Sequence, residues 1–181
     1  ERKELKILDE GKSLEILRKT VCRYNSWYVV HDDSPNSVCA METRIKYSEG
    51  CYHTLPYLHL DQVLKNRVLG SLITFMTNAG LGEIESRLLE ILGRNNAVIL
   101  IGHFGRVPER LRPFVEKGQL SLVATPPSEA NFSFIPAILA GQLLSYYAAI
   151  VLDERKQHFA HMMTAVRESN GIEAAWRRLA V

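Results

Sequence analysis

The fold is decided by residues 27–49, where Trp27-Tyr-Val-Val-His31 and Asp32-Asp-Ser-Pro-Asn36 lead into a segment that ends Ala40-Met-Glu-Thr-Arg-Ile-Lys-Tyr-Ser-Glu49. The first five residues form a short apolar run, which is typical of a buried strand. Ser34 or Asn36 can cap the helix that follows, with Pro35 near its first turn. A strand that passes through a short turn into a helix is the repeating unit of an α/β sheet.

Further strands are predicted along the chain. Ala97-Val-Ile-Leu-Ile101 and Leu120-Ser-Leu-Val-Ala124 are apolar runs bounded by turn residues, and a short strand is expected at Phe132-Ser-Phe134. Strands that alternate with helices through short connections favour a parallel sheet covered by helices on both faces. The predicted fold class is therefore α/β.

Helices are indicated where aliphatic residues recur at helical spacing. Residues 1–22 predict an N-terminal helix, and residues 60–92 predict two helices joined by a turn at Asn78-Ala-Gly-Leu-Gly82. An apolar helix is expected from Pro136 to about Leu152. These elements leave no long linker in the chain.

The length of 181 residues is that of one domain of ordinary size. We divide it into an N-terminal helix (1–24), an α/β core (25–152) and a charged C-terminal tail (153–181). Because the chain begins at Glu1 instead of Met, this domain is compatible with a longer protein.

Composition narrows the classes of function. The 22 Lys and Arg against 20 Asp and Glu leave a net charge of +2 without a basic patch, so nucleic acid is not an expected partner. Three scattered cysteines, Cys22, Cys39 and Cys51, indicate reduced thiols and a cytoplasmic location. The N-terminus is charged and no apolar run is expected to approach about 18 residues, which predicts neither a signal peptide nor a membrane span.

Glu42, Lys46 and Glu49 follow the first strand at positions i, i+4 and i+7 of a helix. At about 100° per residue they share one face, where a carboxylate, an ammonium and a second carboxylate could move a proton between adjacent sugar carbons. The same spacing also occurs in ordinary solvated ion pairs. The adjoining apolar stripe, expected to be buried, comprises Val38, Met41, Ile45 and Tyr52, while Ala40, Thr43, Arg44 and Tyr47 are expected to face away from it.

The order of these patches resembles the sugar isomerase (SIS) domain family. The resemblance rests on the Ala-x-Glu-x-x-x-Lys-x-x-Glu helix, the later Gly-x-x-Gly turn before a Pro-Glu helix start, and Gln142-Leu-Leu-Ser-Tyr-Tyr147 in the last helix. It covers roughly residues 25–165 and is strongest to the isomerase part of glucosamine-6-phosphate synthase and its relatives.

This resemblance implies a three-layer, flavodoxin-like fold with a mostly parallel five-stranded sheet, and a phosphorylated sugar bound at the carboxyl ends of the strands. It assigns Glu49 as the base that moves a proton between C1 and C2, with Lys46 and Glu42 as its electrostatic partners. Asp33 and Ser34, in the turn after the first strand, are expected to bind substrate. The resemblance implies no cofactor and no metal, and a partner that is a second copy or a second SIS domain.

The phosphate loop of the family, Ser-x-Ser-Gly-x-Thr, is aligned with Gly102-His-Phe-Gly-Arg-Val107. All three hydroxyl positions are lost and Gly105 remains, although His103 or Arg106 could add positive charge at a helix N-terminus. The alternative is a tight turn with no ligand. The histidine and the tail lysine of the family site have no counterpart here. His53 and His59 lie near the loop that could substitute for the lost histidine, but they are interpreted as loop or surface residues.

Two functions remain open at this stage. One is aldose/ketose isomerisation of a hexose or amino-sugar phosphate; the other is a non-catalytic module that senses a sugar phosphate or mediates association of subunits. The pair His158 and His161 lacks a third metal ligand and is interpreted as a surface pair. Ser34, Ser37 and Ser133 belong to no nucleophile motif.

Overall fold

The computed structural model describes residue 17, residues 20–51, 54–127, 132 and 134–154. The strands are β1 (Trp27–His31), β2 (Tyr57–His59), β3 (Leu72–Met76), β4 (Ala97–Gly102) and β5 (Leu120–Ala124). The helices are α1 (Ser37–Cys51), α2 (Leu60–Lys65), α3 (Leu81–Gly93), α4 (Arg112–Glu116) and α5 (Phe134–Glu154), with a 3₁₀ turn at Glu109–Leu111. Most of the predicted N-terminal helix and nearly all of the tail, with His53, Ser133, His158 and His161, lie outside the described residues, and the assignment to a single domain stays a prediction.

The five strands form one parallel sheet in the order β2-β1-β3-β4-β5. Strand residues alternate between two cores, so that Ile99 and Ile101 of β4 pack with α1 and α5, while Val98 and Leu100 pack with α2 and α3. The predicted three-layer α/β arrangement, flavodoxin-like with five parallel strands, is confirmed.

Two strands were absent from the sequence prediction, and one predicted strand is wrong. Leu72–Met76 is the central strand β3, although it falls in a region predicted to be helical, and Tyr57–His59 forms the short edge strand β2. All five residues of β3 are buried because helices cover both faces, so the strand has no polar alternation to reveal it. Phe134 is the first residue of α5, so Phe132–Phe134 is not a strand.

Helix α1 is rotated relative to its predicted orientation. Its buried residues are Cys39, Ala40, Thr43, Tyr47 and Cys51, whereas Val38, Met41 and Ile45 are exposed. Close packing of α1 against α5 explains which side of α1 is buried. A Cβ at Gly141 of α5 would come within 3.0 Å of Thr43 Oγ1 and Met76 Cε, so the two helices can approach only where the side chains are small. Three residues of the apolar stripe that periodicity predicted to be inside therefore lie outside, and the fourth, Tyr52, is not among the described residues.

The apolar stretch in α5 is also longer than expected. Phe134–Leu152 comprises 19 residues without a charged side chain, enough by length and composition to cross a membrane. Core helices of folded domains meet the same criterion, and half of this stretch is buried in the fold. The expectation that no apolar run approaches 18 residues was wrong.

Candidate functional site

The strand order reverses between β1 and β3, and this point defines the candidate site. The chain leaves β1 into α1 on one face of the sheet and leaves β3 into α3 on the other. In open α/β sheets the two loops that diverge in this way border a crevice at the carboxyl edge, where ligands bind. Here the loops are residues 32–36 and 77–80.

Hydrogen bonds join the two loops. The Asp32 carboxylate accepts from the Thr77 hydroxyl and from the Ser34 amide at 3.0 Å. Buried Asn36 donates from Nδ2 to the Thr77 carbonyl at 3.1 Å, and the Thr77 hydroxyl accepts from the Ala79 amide at 2.9 Å. These bonds fix the two loops relative to each other at the carboxyl ends of β1 and β3.

Ser34, in the loop after β1, carries a polar group of interest. Its Oγ is buried and, within the part of the chain that the structure describes, has no hydrogen-bond partner. A buried hydroxyl without a partner is costly, so a ligand or water is expected to satisfy it. The N-termini of α1 and α3, helices of 15 and 13 residues, lie at the same edge and present backbone N–H groups with a partial positive charge.

Aromatic and imidazole rings line the β1–β2 side of the same edge. His31 stacks on Tyr57 with ring centroids 4.4 Å apart, and His59 meets His31 edge-on at 5.3 Å. His59 Nδ1 accepts from the Asp61 amide at 3.2 Å, which in the neutral ring leaves the proton on Nε2. Nε2 lies 3.3 Å from Asp33 Oδ1 but out of line for a hydrogen bond. His59 is thus a half-buried member of the edge, which differs from its interpretation as a loop or surface residue.

Glu42, Lys46 and Glu49 come together as predicted, but on the outer face of α1. Lys46 Nζ lies 3.7 Å from Glu42 Oε1 and 2.8 Å from Glu49 Oε2, and the Glu49 side chain is 61% exposed. Hydrogen bonding and charge from Glu49, then Glu42, raise the pKa of Lys46. Glu49 stands twelve residues beyond Ser37, about 18 Å along the helix from the crevice.

His103, Gly105 and Arg106 follow β4 and are separated from the Asp33–Ser34 loop by β3. His103 Nδ1 lies 3.1 Å from the Thr125 carbonyl oxygen, and Gly105 and Arg106 are exposed. The helix beyond them, α4, has only five residues. A Cβ at Gly102 would overlap the Thr77 carbonyl oxygen, so this backbone has no space for the first hydroxyl of a family-type phosphate loop.

Four residues at the carboxyl edge of the sheet were not predicted from the sequence: Thr77, Asn36, His31 and Tyr57. Once β3 is recognised, Thr77-Asn-Ala-Gly80 is a strand-to-helix turn beside β1, and its position would have identified Thr77. Tyr57 could not be found, because β2 has only three residues.

Other groups of the described residues offer little chemistry. No set of three His, Cys, Asp or Glu among them is arranged to hold a metal ion. All three cysteines are free thiols, and burial raises the pKa of Cys39 to about 11 and that of Cys51 to about 12. Because the thiolate is the reactive form, these two residues are inert near neutral pH.

The described residues form a doubly wound α/β fold, and its switch point is the candidate ligand site. Comparisons with protein-family models and with curated proteins find no match. Solved structures share the fold, and two of them show that it is the fold of SIS domains.

One similar structure is the C-terminal domain of glucosamine-fructose-6-phosphate aminotransferase from Francisella tularensis, with 18% identity, a TM-score of 0.53, and coverage of 78% of this chain and 40% of that chain. Another is NanR of Vibrio vulnificus complexed with ManNAc-6P, with 12% identity, a TM-score of 0.58, and coverage of 88% and 61%. This chain therefore spans less than two thirds of the length of either.

Proposed function

We propose that this chain is an SIS-type unit that recognises a phosphorylated sugar at the crevice between β1 and β3. The observation that carries the proposal is the buried Ser34 hydroxyl, which has no hydrogen-bond partner among the described residues and follows β1 at the sheet edge where α1 and α3 begin. Helix N-termini bind anions through their free N–H groups and their dipoles. The similarity to a structure complexed with ManNAc-6P supports a ligand of this class.

The residues of the edge suit the two parts of such a ligand. The amides that open α3, at Leu81 and exposed Gly82, can bind the phosphate, although the Glu83 carboxylate, which accepts from the Gly80 amide at 3.4 Å, must turn away from the anion. Asp33, Ser34 and the Nε2 of His59 can exchange hydrogen bonds with sugar hydroxyls. In this proposal the protein acts without a cofactor, in the cytoplasm, and pairs with a second copy or a second SIS domain.

Ser34→Ala is expected to weaken ManNAc-6P binding about tenfold, which corresponds to one lost hydrogen bond of about 1.4 kcal/mol. Stability should stay the same or rise, because the hydroxyl has no partner among the described residues. Isothermal titration calorimetry measures the affinity, and Ser48→Ala, on α1 away from the crevice, is the control. Equal affinity for the two variants would remove Ser34 from the site.

A second candidate function is aldose/ketose isomerisation with Glu49 as the base. The arrangement of Glu42, Lys46 and Glu49 supports it, since one carboxylate can take and return the proton while an ammonium stabilises the enediolate charge. The distance along α1 from the crevice requires that another subunit or domain present the substrate to this face. The assignments of Glu49, Lys46 and Glu42 stay predictions.

Loss of a C2 deuteron from labelled hexose 6-phosphates tests this activity. If Glu49 is the base, Glu49→Gln should slow the exchange by at least about 100-fold, since general-base catalysis contributes at this scale. Glu116→Gln, at an exposed position of α4, is the matched control. Exchange at the wild-type rate in Glu49→Gln would rule out this role, and absence of exchange in the wild type would leave recognition without catalysis.

A further inference from the structure

The outer face of α1 and α5 carries most of the exposed apolar surface of the described residues. The described residues include nine exposed large hydrophobic side chains. Seven of these nine lie on α1 and α5, with exposed fractions between 38% and 63%. They are Val38, Met41 and Ile45 of α1 and Ile135, Leu139, Leu143 and Tyr146 of α5. We call this surface the α1/α5 face.

The two helices form one continuous surface because they pack side by side. The Cys39 thiol approaches the Phe134 carbonyl oxygen at 3.1 Å, and the Cys51 thiol approaches that of Ser145 at 3.7 Å. The exposed residues recur every three or four positions in each helix, so each set forms a single stripe. The two stripes run in the same direction along the surface.

The Glu42–Lys46–Glu49 stripe runs between these two apolar stripes. Cys39 and Thr43 mark the side of α1 that contacts α5. At about 100° per residue, the three charged side chains fall between that side and the stripe of Met41 and Ile45. The α1/α5 face is therefore apolar at its flanks and charged, with alternating sign, at its centre.

The apolar composition of α5 indicates that this face is covered in the assembled protein. A helix without charge over 19 residues is normally enclosed on all sides, yet half of this stretch is buried. The seven side chains expose on the order of 700 Å², more than the apolar patches of typical monomers and close to the share of one partner in a stable dimer.

We infer that the α1/α5 face is the contact surface for a second copy of this chain. A lipid surface would have to desolvate two carboxylates and a single ammonium and would offer no partner to the carboxylate in excess, which is costly. A copy related by a twofold axis between Lys46 and Glu49 sets each Lys46 against Glu49 of the partner subunit, so the surface is complementary to itself. This inference deepens the pairing proposed above and is independent of sugar-phosphate binding. In the dimer, the Glu49 side chain is buried in the subunit interface.

Sedimentation equilibrium of the full chain tests the inference. The wild type is expected to be a dimer at micromolar concentration, and Leu139→Glu is expected to raise the dimer dissociation constant by at least about 100-fold, because it buries an unpaired charge. Leu69→Glu is the matched control: Leu69 is 71% exposed but lies away from this face, so its variant should remain dimeric. Circular dichroism and ManNAc-6P titration of the same variants separate loss of pairing from loss of fold or of ligand binding.

The charges give a second, sharper test. Lys46→Glu should dissociate the dimer, and adding Glu49→Lys should restore it, because the swap re-forms the pairs across the twofold axis. A wild type that is monomeric at about 100 μM, above the dissociation constants of specific dimers, would overturn the inference. A dimer that persists in both Leu139→Glu and Lys46→Glu would also overturn the inference. Sedimentation of the wild type with phosphatidylcholine and phosphatidylserine vesicles would overturn it too, because it would show binding to a lipid surface.

Discussion

Replacing Gly102 with Ser is expected to lower the free energy of unfolding by about 3 kcal/mol, although it restores a hydroxyl that family phosphate loops carry. A Cβ at this position would overlap the carbonyl oxygen of Thr77 and approach the ring of Phe104 at 3.0 Å. The carbonyl belongs to the backbone and cannot rotate away. The Thr77 amide donates to the Ile101 carbonyl at 3.1 Å, so moving this segment also disturbs the pairing of β3 with β4.

Gly105→Ser is the matched control, because it adds the same side chain to the same loop where no atom lies within 4 Å of the new Cβ. Its free energy of unfolding should stay within about 0.5 kcal/mol of the wild type, as for most surface substitutions. Urea denaturation of both variants measures the difference. Equal stability of the two variants would show that the loops after β3 and β4 are not in contact as described.

Asn96→Ala is expected to destabilise the protein by about 3–5 kcal/mol, because it leaves several buried backbone groups without partners. Asn96 is fully buried, and its Nδ2 donates to the carbonyls of Val68 and Ile91 at 2.9 Å each. Its Oδ1 accepts from the Ser71 amide at 2.9 Å. One side chain thus joins the end of α3 to the segment that enters β3, the strand that borders the site.

Asn95→Ala is the neighbouring control. Asn95 is exposed with φ of 59°, a left-handed conformation that asparagine tolerates better than alanine, so a loss of about 1 kcal/mol is expected. Thermal and urea unfolding of both variants give the comparison. A loss for Asn96→Ala no larger than that for Asn95→Ala would contradict the described hydrogen bonds.

The sequence predicted the fold class because β1, β4 and β5 are apolar runs bounded by turn residues. It failed at β3, since a buried five-residue strand among leucine-rich helices has no alternation that distinguishes it from a helix. That omission also hid the turn that begins at Thr77, because β3 is the strand beside β1. The assignment of the family phosphate loop to the turn after β4 stays a prediction.

The orientation of α1 could not be predicted from periodicity, because a contact between helices decides it. Thr43 and Gly141 allow α5 to approach closely, so small and polar residues of α1 are buried and its larger apolar residues are left outside. The grouping of Glu42, Lys46 and Glu49 was predictable, since it depends only on helical spacing. Their position on the outer face depends on the tertiary packing of α5.

The central claim is that a phosphorylated sugar binds at the crevice between β1 and β3. Amide chemical-shift mapping by heteronuclear NMR, with ManNAc-6P as the added probe and unphosphorylated ManNAc as its control, tests it most directly. The account predicts that ManNAc-6P shifts the amides of residues 32–36 and 77–82 and that ManNAc shifts them far less. Shifts confined to residues 103–106 or 42–49, or no shifts at millimolar ManNAc-6P, would contradict it.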